Sequence, residues 1–418
     1  ILFVLSGIYF RKLVFLLTSQ KNFASLSTTF YLLYPYLLGH SFFNTKDAPF
    51  MSIWLICTFY LVDIIRKFLK SNKVHLKKVI LLAFLTSILI SIRIIGLLIF
   101  LEYLIFLIIL LNYSSIKTKD FISLVWKPLI IFTFLVFILI YFLHPHFWNN
   151  PKAFLFALEF FKNHVQTVCT VTLGECMQAQ NLPSTYLPIW FFFKLPILIL
   201  AGIILFPFVE KKIFMTKINL IIIGSLVATV LSIIILLIFT KAILYDELRQ
   251  VLFLVPLIMI ISFITLHHFF SKKIVNVLLC SYILFFIYQN IKIFPYNYIW
   301  LNNFSTFTKV NKNFELDYWG VSTKEVSKFF KTQKLTSSTC IISNRNEAIG
   351  YYLKNNFNNC YVSFRKLDQK QTRPFYVALL ERKLNKGLPN KCTEIHNENI
   401  KLNFSNENLI LAKIFKCD

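Results

Sequence analysis

Long apolar runs alternate with short polar ones along most of this chain. Runs near residues 22–38, 48–65, 79–92, 95–112, 128–145, 187–208, 218–240, 250–267 and 274–293 predict helices, and residues 1–10 read as the tail of another. About 20 apolar residues cross the hydrocarbon layer of a bilayer, and there every backbone group must bond within its own segment. The run at 79–92 is short for a full crossing. The pattern predicts a polytopic α-helical membrane protein, with about ten membrane segments between residues 1 and 293. After 294 it changes. A helical stretch at 322–332 precedes short β-like runs at 340–343, 360–364, 375–380 and 409–415, which predict a small α/β domain over 294–418.

Composition excludes a soluble core: 57% of the 418 residues are hydrophobic, and the mean hydropathy is +0.64. The net charge of +25, from 44 Lys and Arg against 19 Asp and Glu, would suggest nucleic acid in a soluble protein. Here the bases fall in short loops between apolar runs and in the tail. That placement fits anionic headgroups and membrane orientation, with membrane lipids rather than nucleic acid as partners. The segment 66–78 is the most basic and is expected on the cytoplasmic side. Alternation then places the loop at 39–47, the turn at Arg93, the long loop 146–186, residues 241–249 and the whole tail outside. The chain opens with Ile inside an apolar run, so earlier spans are expected before it.

Six of the eight cysteines lie in segments placed outside: Cys169, Cys176, Cys340, Cys360, Cys392 and Cys417. An even number in an oxidising compartment reads as disulfides, with Cys169–Cys176 the most local pair. Free thiols are the alternative. No C-x-x-C spacing suggests zinc.

The polar motifs concentrate in the external loops. Asp47 stands where a helix begins near Ala48 and Pro49, and a helix cap is its ordinary role. His40, Asn44 and Lys46 share the loop, and a cap does not need them. Arg93 lies between two apolar runs; it either snorkels to the interface or clamps a lipid phosphate with its guanidinium fork. Glu102, inside a span, either pairs with a buried cation or caps a polar cavity. His144 and His146 flank Pro145 beside Trp148, a pattern of interface anchors more than of metal ligands. Tyr186 and Trp190, with Pro183 and Pro188, read as interfacial aromatics. Tyr245-Asp246-Glu247-Leu248-Arg249 enters a helix from outside, and either caps it or offers Arg249 to a phosphate.

Taken together, Asn44-Thr45-Lys46-Asp47-Ala48-Pro49-Phe50, Arg93-Ile94-Ile95-Gly96, Pro145 to Pro151, Leu182 to Tyr186, Tyr245 to Arg249 with Leu252-Phe253, and Glu315-Leu316-Asp317-Tyr318-Trp319-Gly320 resemble a bacterial branch of the C-type integral-membrane glycosyltransferases. That superfamily includes the protein O-mannosyltransferases and the lipid A aminoarabinose transferase. The resemblance covers most of the chain. It implies an enzyme of the bacterial inner membrane that moves a sugar, on the extracytoplasmic face, from a polyprenyl-phosphate donor to a lipid, glycan or protein acceptor. It further implies inversion at the sugar and a general base in a loop preceding this chain. Asp47 matches a second acidic position, near the donor phosphate or a divalent cation, and Arg93 a basic position near the donor. On this reading Asp47, His40 and Lys46 are catalytic. Asn44, Arg93, Tyr186, Tyr245, Asp246 and Arg249 bind substrate. Asp47 is also the candidate metal ligand, with a divalent cation as the cofactor. A transporter or flippase of a lipid-linked sugar, and a non-catalytic assembly subunit, are the alternatives.

Overall fold

The computed structural model describes the chain apart from residues 114–117, 151, 154, 157–158, 160–167, 210–215, 334–338, 354–360, 364–374, 381–387, 389–391, 402–407 and 418. Helices α1 (Leu2–Thr18) and α2 (Lys21–Leu33) open it. The span expected over 22–38 breaks at Tyr34, which takes ψ 115°. The cause is Pro35: it lacks an N–H, and its ring drives the preceding residue out of the helical region. Pro35 then begins α3 (Pro35–Phe43), where a missing N–H costs nothing.

Next come α4 (Asp47–Ser71), α5 (Leu76–Ile92), a 3-10 turn at Ile94–Leu98, α6 (Ile99–Tyr113) and α7 (Thr118–Leu143). The basic loop expected over 66–78 is mostly helix, and only 72–75 turn. Arg66, Lys67 and Lys70 are good helix formers whose stems carry the charge outward. Asn72, at φ 53°, ends α4, and Lys78 pairs with Asp63 across the turn. Lys117 and the expected loop Glu210-Lys211-Lys212 lie outside the described residues.

The long loop holds a short helix, α8 (His146–Asn149), and a hairpin of β1 (Cys169–Thr172) and β2 (Glu175–Gln178), joined by the Cys169–Cys176 disulfide. The single span expected over 187–208 is instead two helices, α9 (Tyr186–Lys194) and α10 (Ile197–Leu205), in a pair bent by 120°. Leu195 and Pro196 make the break, for the same reason as at Pro35. The bundle closes with α11 (Lys217–Phe239), α12 (Leu254–Phe269) and α13 (Lys272–Ile293).

Five of these helices are long and apolar enough to cross a membrane, six with the bent pair counted as one. The described helices therefore reach five or six crossings, not the ten or so expected. At 16 or 17 residues, α1, α5 and α12 fall short of a full span. Around α12, buried nearly throughout, one apolar core gathers α1, α2, α4, α10, α11 and α13.

Beyond α13, residues 296–318 pack against both the helices and β7, where Asn311 bonds the backbone of Asn408 and Ile410. Tyr298, Trp300, Phe314 and Tyr318 are buried in the same core as the helices. A short helix α14 (Val310–Asn313) lies in this stretch. The tail itself has α15 (Thr323–Thr332), β3 (Cys340–Ser343), α16 (Asn346–Leu353), β4 (Tyr361–Ser363), β5 (Phe375–Leu380), β6 (Cys392–Lys401) and β7 (Asn408–Cys417). Its mixed sheet runs β4-β3-β5-β7-β6, parallel on both sides of β3 and antiparallel on both sides of β7. α15 buries Val326 and Phe330 against Ile341, Ala378 and Ile414 of the sheet. Cys392 and Cys417 form a disulfide, and Cys340 is disulfide-bonded too; Cys360 lies outside the described residues.

Candidate functional site

The ends of α3, α5, α9 and α13, the start of α4 and the approach to α12 meet in one place, where the polar residues of five separate loops collect. Gly39 permits part of this. A Cβ there would stand 2.1 Å from the backbone nitrogen of Tyr298, so only glycine lets α3 lie directly on the turn after α13.

Asn44 organises the start of α4. Its Oδ1 accepts from the backbone N–H of Asp47 at 2.8 Å and of Lys46 at 3.2 Å. Its amide donates to Asp47 Oδ2 at 2.8 Å and to His40 Nδ1 at 3.1 Å. The capping is therefore done by Asn44, and the Asp47 carboxylate is left to face cations. Arg93 Nη1 pairs with Asp47 Oδ1. Arg249 Nε lies 3.4 Å from Asp47 Oδ2, and its Nη1 lies 2.8 Å from Asp246 Oδ2. The Arg249 guanidinium is also stacked between Tyr245 at 4.8 Å and Trp319 at 5.1 Å. Both arginines keep a solvent-facing edge, with side-chain exposures of 19% and 14%.

Behind this mouth lies a buried polar chain. His40 is held neutral: burial first, then the charges of Lys194 and Arg249, push its pKa well below the usual value. With Nδ1 accepting from Asn44, its proton is assigned to Nε2, 3.1 Å from the Tyr318 hydroxyl. That hydroxyl donates to Glu247 Oε2 at 3.4 Å. Lys194 Nζ is 2.7 Å from the same oxygen, the two side chains being 0% and 1% exposed. Burial raises Glu247 to about 7, against the opposing pull of Lys194. Lys194 also sits over the rings of Tyr36 and Trp190.

Asp246 and Glu247 both have a left-handed backbone, at φ 57° and 65°. Two adjacent non-glycine residues there are strained, and surrounding contacts must hold them. The Asp246 N–H donates to Thr170 of the hairpin, and the Glu247 N–H to the Tyr186 hydroxyl. The motif after α13 divides its work. Asp317 is structural: it accepts from Tyr298 and from the backbone of Val321 and Ser322, starting α15. Tyr318 and Trp319 face the cluster.

The structure thus brings together Asp47, His40, Asn44, Arg93, Tyr245, Asp246 and Arg249, with Tyr186 as a backbone support. Lys46 is adjacent in sequence, but its side chain is exposed to solvent, and only its backbone N–H joins the cluster, donating to Asn44. Sequence reasoning missed Lys194, Glu247 and Tyr318 as individual residues. The available signal was a lysine inside the apolar run 187–208, a position where a charge requires a partner. Glu102 belongs elsewhere: both of its oxygens accept from α4, from Trp54 at 2.6 Å and Thr58 at 2.7 Å.

The surroundings of Asp47 do not suit a divalent cation. Its oxygens face two guanidiniums and an amide N–H, and a dication would be repelled by both arginines. Among the described residues, no three His, Cys, Asp or Glu side chains gather as a ligand set.

No family model matches the sequence, and no curated protein matches it. Among solved structures, the chain is similar to the crystal structure of ArnT from Cupriavidus metallidurans in the apo state. The identity is 10% and the TM-score 0.46, over 99% of this chain and 82% of that one. A likeness of that degree says nothing about the reaction.

Proposed function

We propose that this chain is a membrane glycosyltransferase that moves a sugar from a polyprenyl-phosphate donor to an acceptor hydroxyl at the Arg93–Arg249 mouth. The observation that carries this reading is the pair of guanidiniums, from loops 156 positions apart in sequence (249 − 93), gathered around one carboxylate at the edge of an apolar bundle. Transfer breaks the bond between the sugar and the phosphate oxygen, and negative charge develops on the departing phosphate. Fixed guanidiniums stabilise that charge best, because they need no reorganisation when it appears. Asp47 and Asp246 neutralise the two arginines. A donor phosphate that takes over Arg93 leaves Asp47 Oδ1 open to accept from a hydroxyl. Lys194 and Glu247 hold the strained 246–247 turn from behind, and so aim Arg249. The polyprenyl tail stays in the lipid beside the apolar helices.

A second reading, transport of a lipid-linked sugar without transfer, draws on the 120° break beside buried Lys194. Broken helices with polar groups at the break are typical of substrate sites in transporters.

The test is sugar transfer in membranes from a polyprenyl-phosphate donor, reading both the glycosylated acceptor and the released polyprenyl phosphate. Asp47→Asn is expected to lose on the order of a hundredfold in turnover while expression holds. Because Asn44 supplies the cap, helix α4 does not need the Asp47 carboxylate. Arg93→Lys keeps the charge without the fork, and is expected to raise KM for the donor more than it lowers thermal stability. Near-normal turnover in Asp47→Asn would overturn the assignment. Movement of the donor across the bilayer with no release of polyprenyl phosphate would favour the transport reading.

A further inference from the structure

The opposite end of the bundle holds a second polar cavity, of about 280 Å³, lined by Gln20, Lys21, Asn22, His267, Lys272 and Asn276 around the ring of Phe23. α12 separates it from the arginine mouth: Arg249 precedes this helix and His267 lies near its end, about 24 Å along 16 residues. Three observations define its chemistry. Two helices, α2 and α13, begin at the cavity, and neither has an acidic residue in its first turn. Ser271 caps the Ile274 N–H of α13, α2 has no side-chain cap, and the partial positive charge of both helix starts meets there. Lys21 and Lys272 add two full charges, and no Asp or Glu is among the lining residues. Finally, both ring nitrogens of His267 and the Oδ1 of Asn276 are buried without a hydrogen bond among the described residues. Buried polar atoms left unpaired point to a missing partner. The His267 ring is fixed for this purpose, packed on Phe23 at 4.8 Å and His268 at 5.1 Å.

We propose that this cavity is an anion site for a phosphate group, carried either by a lipid headgroup or by a small soluble phosphate. The two lysines and the helix starts neutralise the charge. The N–H of His267 and the amide of Asn276, with its oxygen and nitrogen interchanged, donate to the phosphate oxygens. The volume accepts a phosphate with a small substituent, since one water occupies about 30 Å³ of liquid.

The test is thermal unfolding of the full chain in phosphate-free maltoside, titrated at constant ionic strength with sodium phosphate in one arm and short-chain phosphatidic acid in the other. A saturable rise in Tm is expected. His267→Phe keeps the ring packed on Phe23 but removes the donor, and should shift the midpoint at least about tenfold to higher concentration. Lys272→Met, at an exposed position, should do the same without affecting folding. Phosphate bound at the arginine mouth is insensitive to both changes, so only the component they weaken belongs to this cavity. Saturation by phosphatidic acid at much lower concentration than by phosphate assigns a lipid headgroup; equal midpoints assign a soluble phosphate. Equal titrations in the wild type and both variants, or no rise with either probe, would overturn the proposal.

Discussion

Glu247 is the residue whose environment has the clearest measurable consequence. Its carboxyl is buried beside Lys194, and burial dominates, raising it from 4.5 to about 7. Between those values the folded chain holds a proton that the unfolded chain has released. The contribution of Glu247 to stability is therefore greatest below about 4.5 and declines as the pH rises towards 7, by at most roughly 3 kcal/mol. In detergent, the Tm of the wild type should fall from pH 5 to pH 7.5 more steeply than that of Glu247→Gln, which cannot titrate there. At pH 5 the wild-type carboxyl is itself protonated, so Glu247→Gln should match the wild type there and differ from it only as the pH rises. The slopes, not the absolute values, carry the test, and parallel curves would show that Glu247 is ionised at every pH examined.

At the scale of elements, the mouth depends on the fit between α4, which starts at Asp47, and the α5–α6 joint, which carries Arg93. Glu102 fastens α6 to α4: its two oxygens accept from Trp54 and Thr58, two and three turns into α4. Trp54 in turn lies against Phe253, whose ring centroid is 4.2 Å away. Glu102→Leu should lower stability by about 1–3 kcal/mol, since it strands the buried Trp54 N–H in an apolar interior and leaves Thr58 only the Trp54 carbonyl. Glu102→Gln keeps one acceptor and should fall between. Thermal unfolding should rank wild type above Gln above Leu, and a Leu variant as stable as the wild type would remove the clamp from the account. The hairpin has a similar supporting role. Thr170 and Thr172 bond Asp246 and Trp190, so the disulfide-bridged loop braces the acidic turn from outside the bundle.

For the whole molecule, the prediction concerns orientation. The helix ends that form the arginine mouth all lie at one end of the bundle, and the turns at 72–75 and 269–272 lie at the other. The basic residues near 66–78 predict that this second end is cytoplasmic, and with it that the mouth and the tail sheet are outside. Single cysteines at two exposed lysines test this in a background without Cys280, which is exposed. An impermeant maleimide applied to intact cells should mark Lys324→Cys in the tail and spare Lys73→Cys. The reverse pattern would place the mouth, and the chemistry proposed for it, on the cytoplasmic face.

Hydrophobic periodicity by itself determined that the chain is a bundle of apolar helices followed by an α/β tail, because burial in lipid demands those runs whatever their packing. The polar motifs were legible too. Asn44, Asp47, Arg93 and Arg249 stand in short loops between such runs, where a charge near hydrocarbon needs a reason. Only the tertiary structure decided how they combine. Local spacing could not show that Asn44, three residues earlier, would take the cap and leave Asp47 to the arginines. Prolines at 35 and 196 split two apparent spans, yet hydropathy does not register a missing N–H, so it counted more crossings than the described helices supply. Lys194 and Glu247 were hidden for the same kind of reason: they lie 53 positions apart (247 − 194), and their pairing exists only because the bent helix and the strained turn close on each other. Apolar patterning is written one residue at a time, whereas a charge's role is set by the partner that folding brings to it.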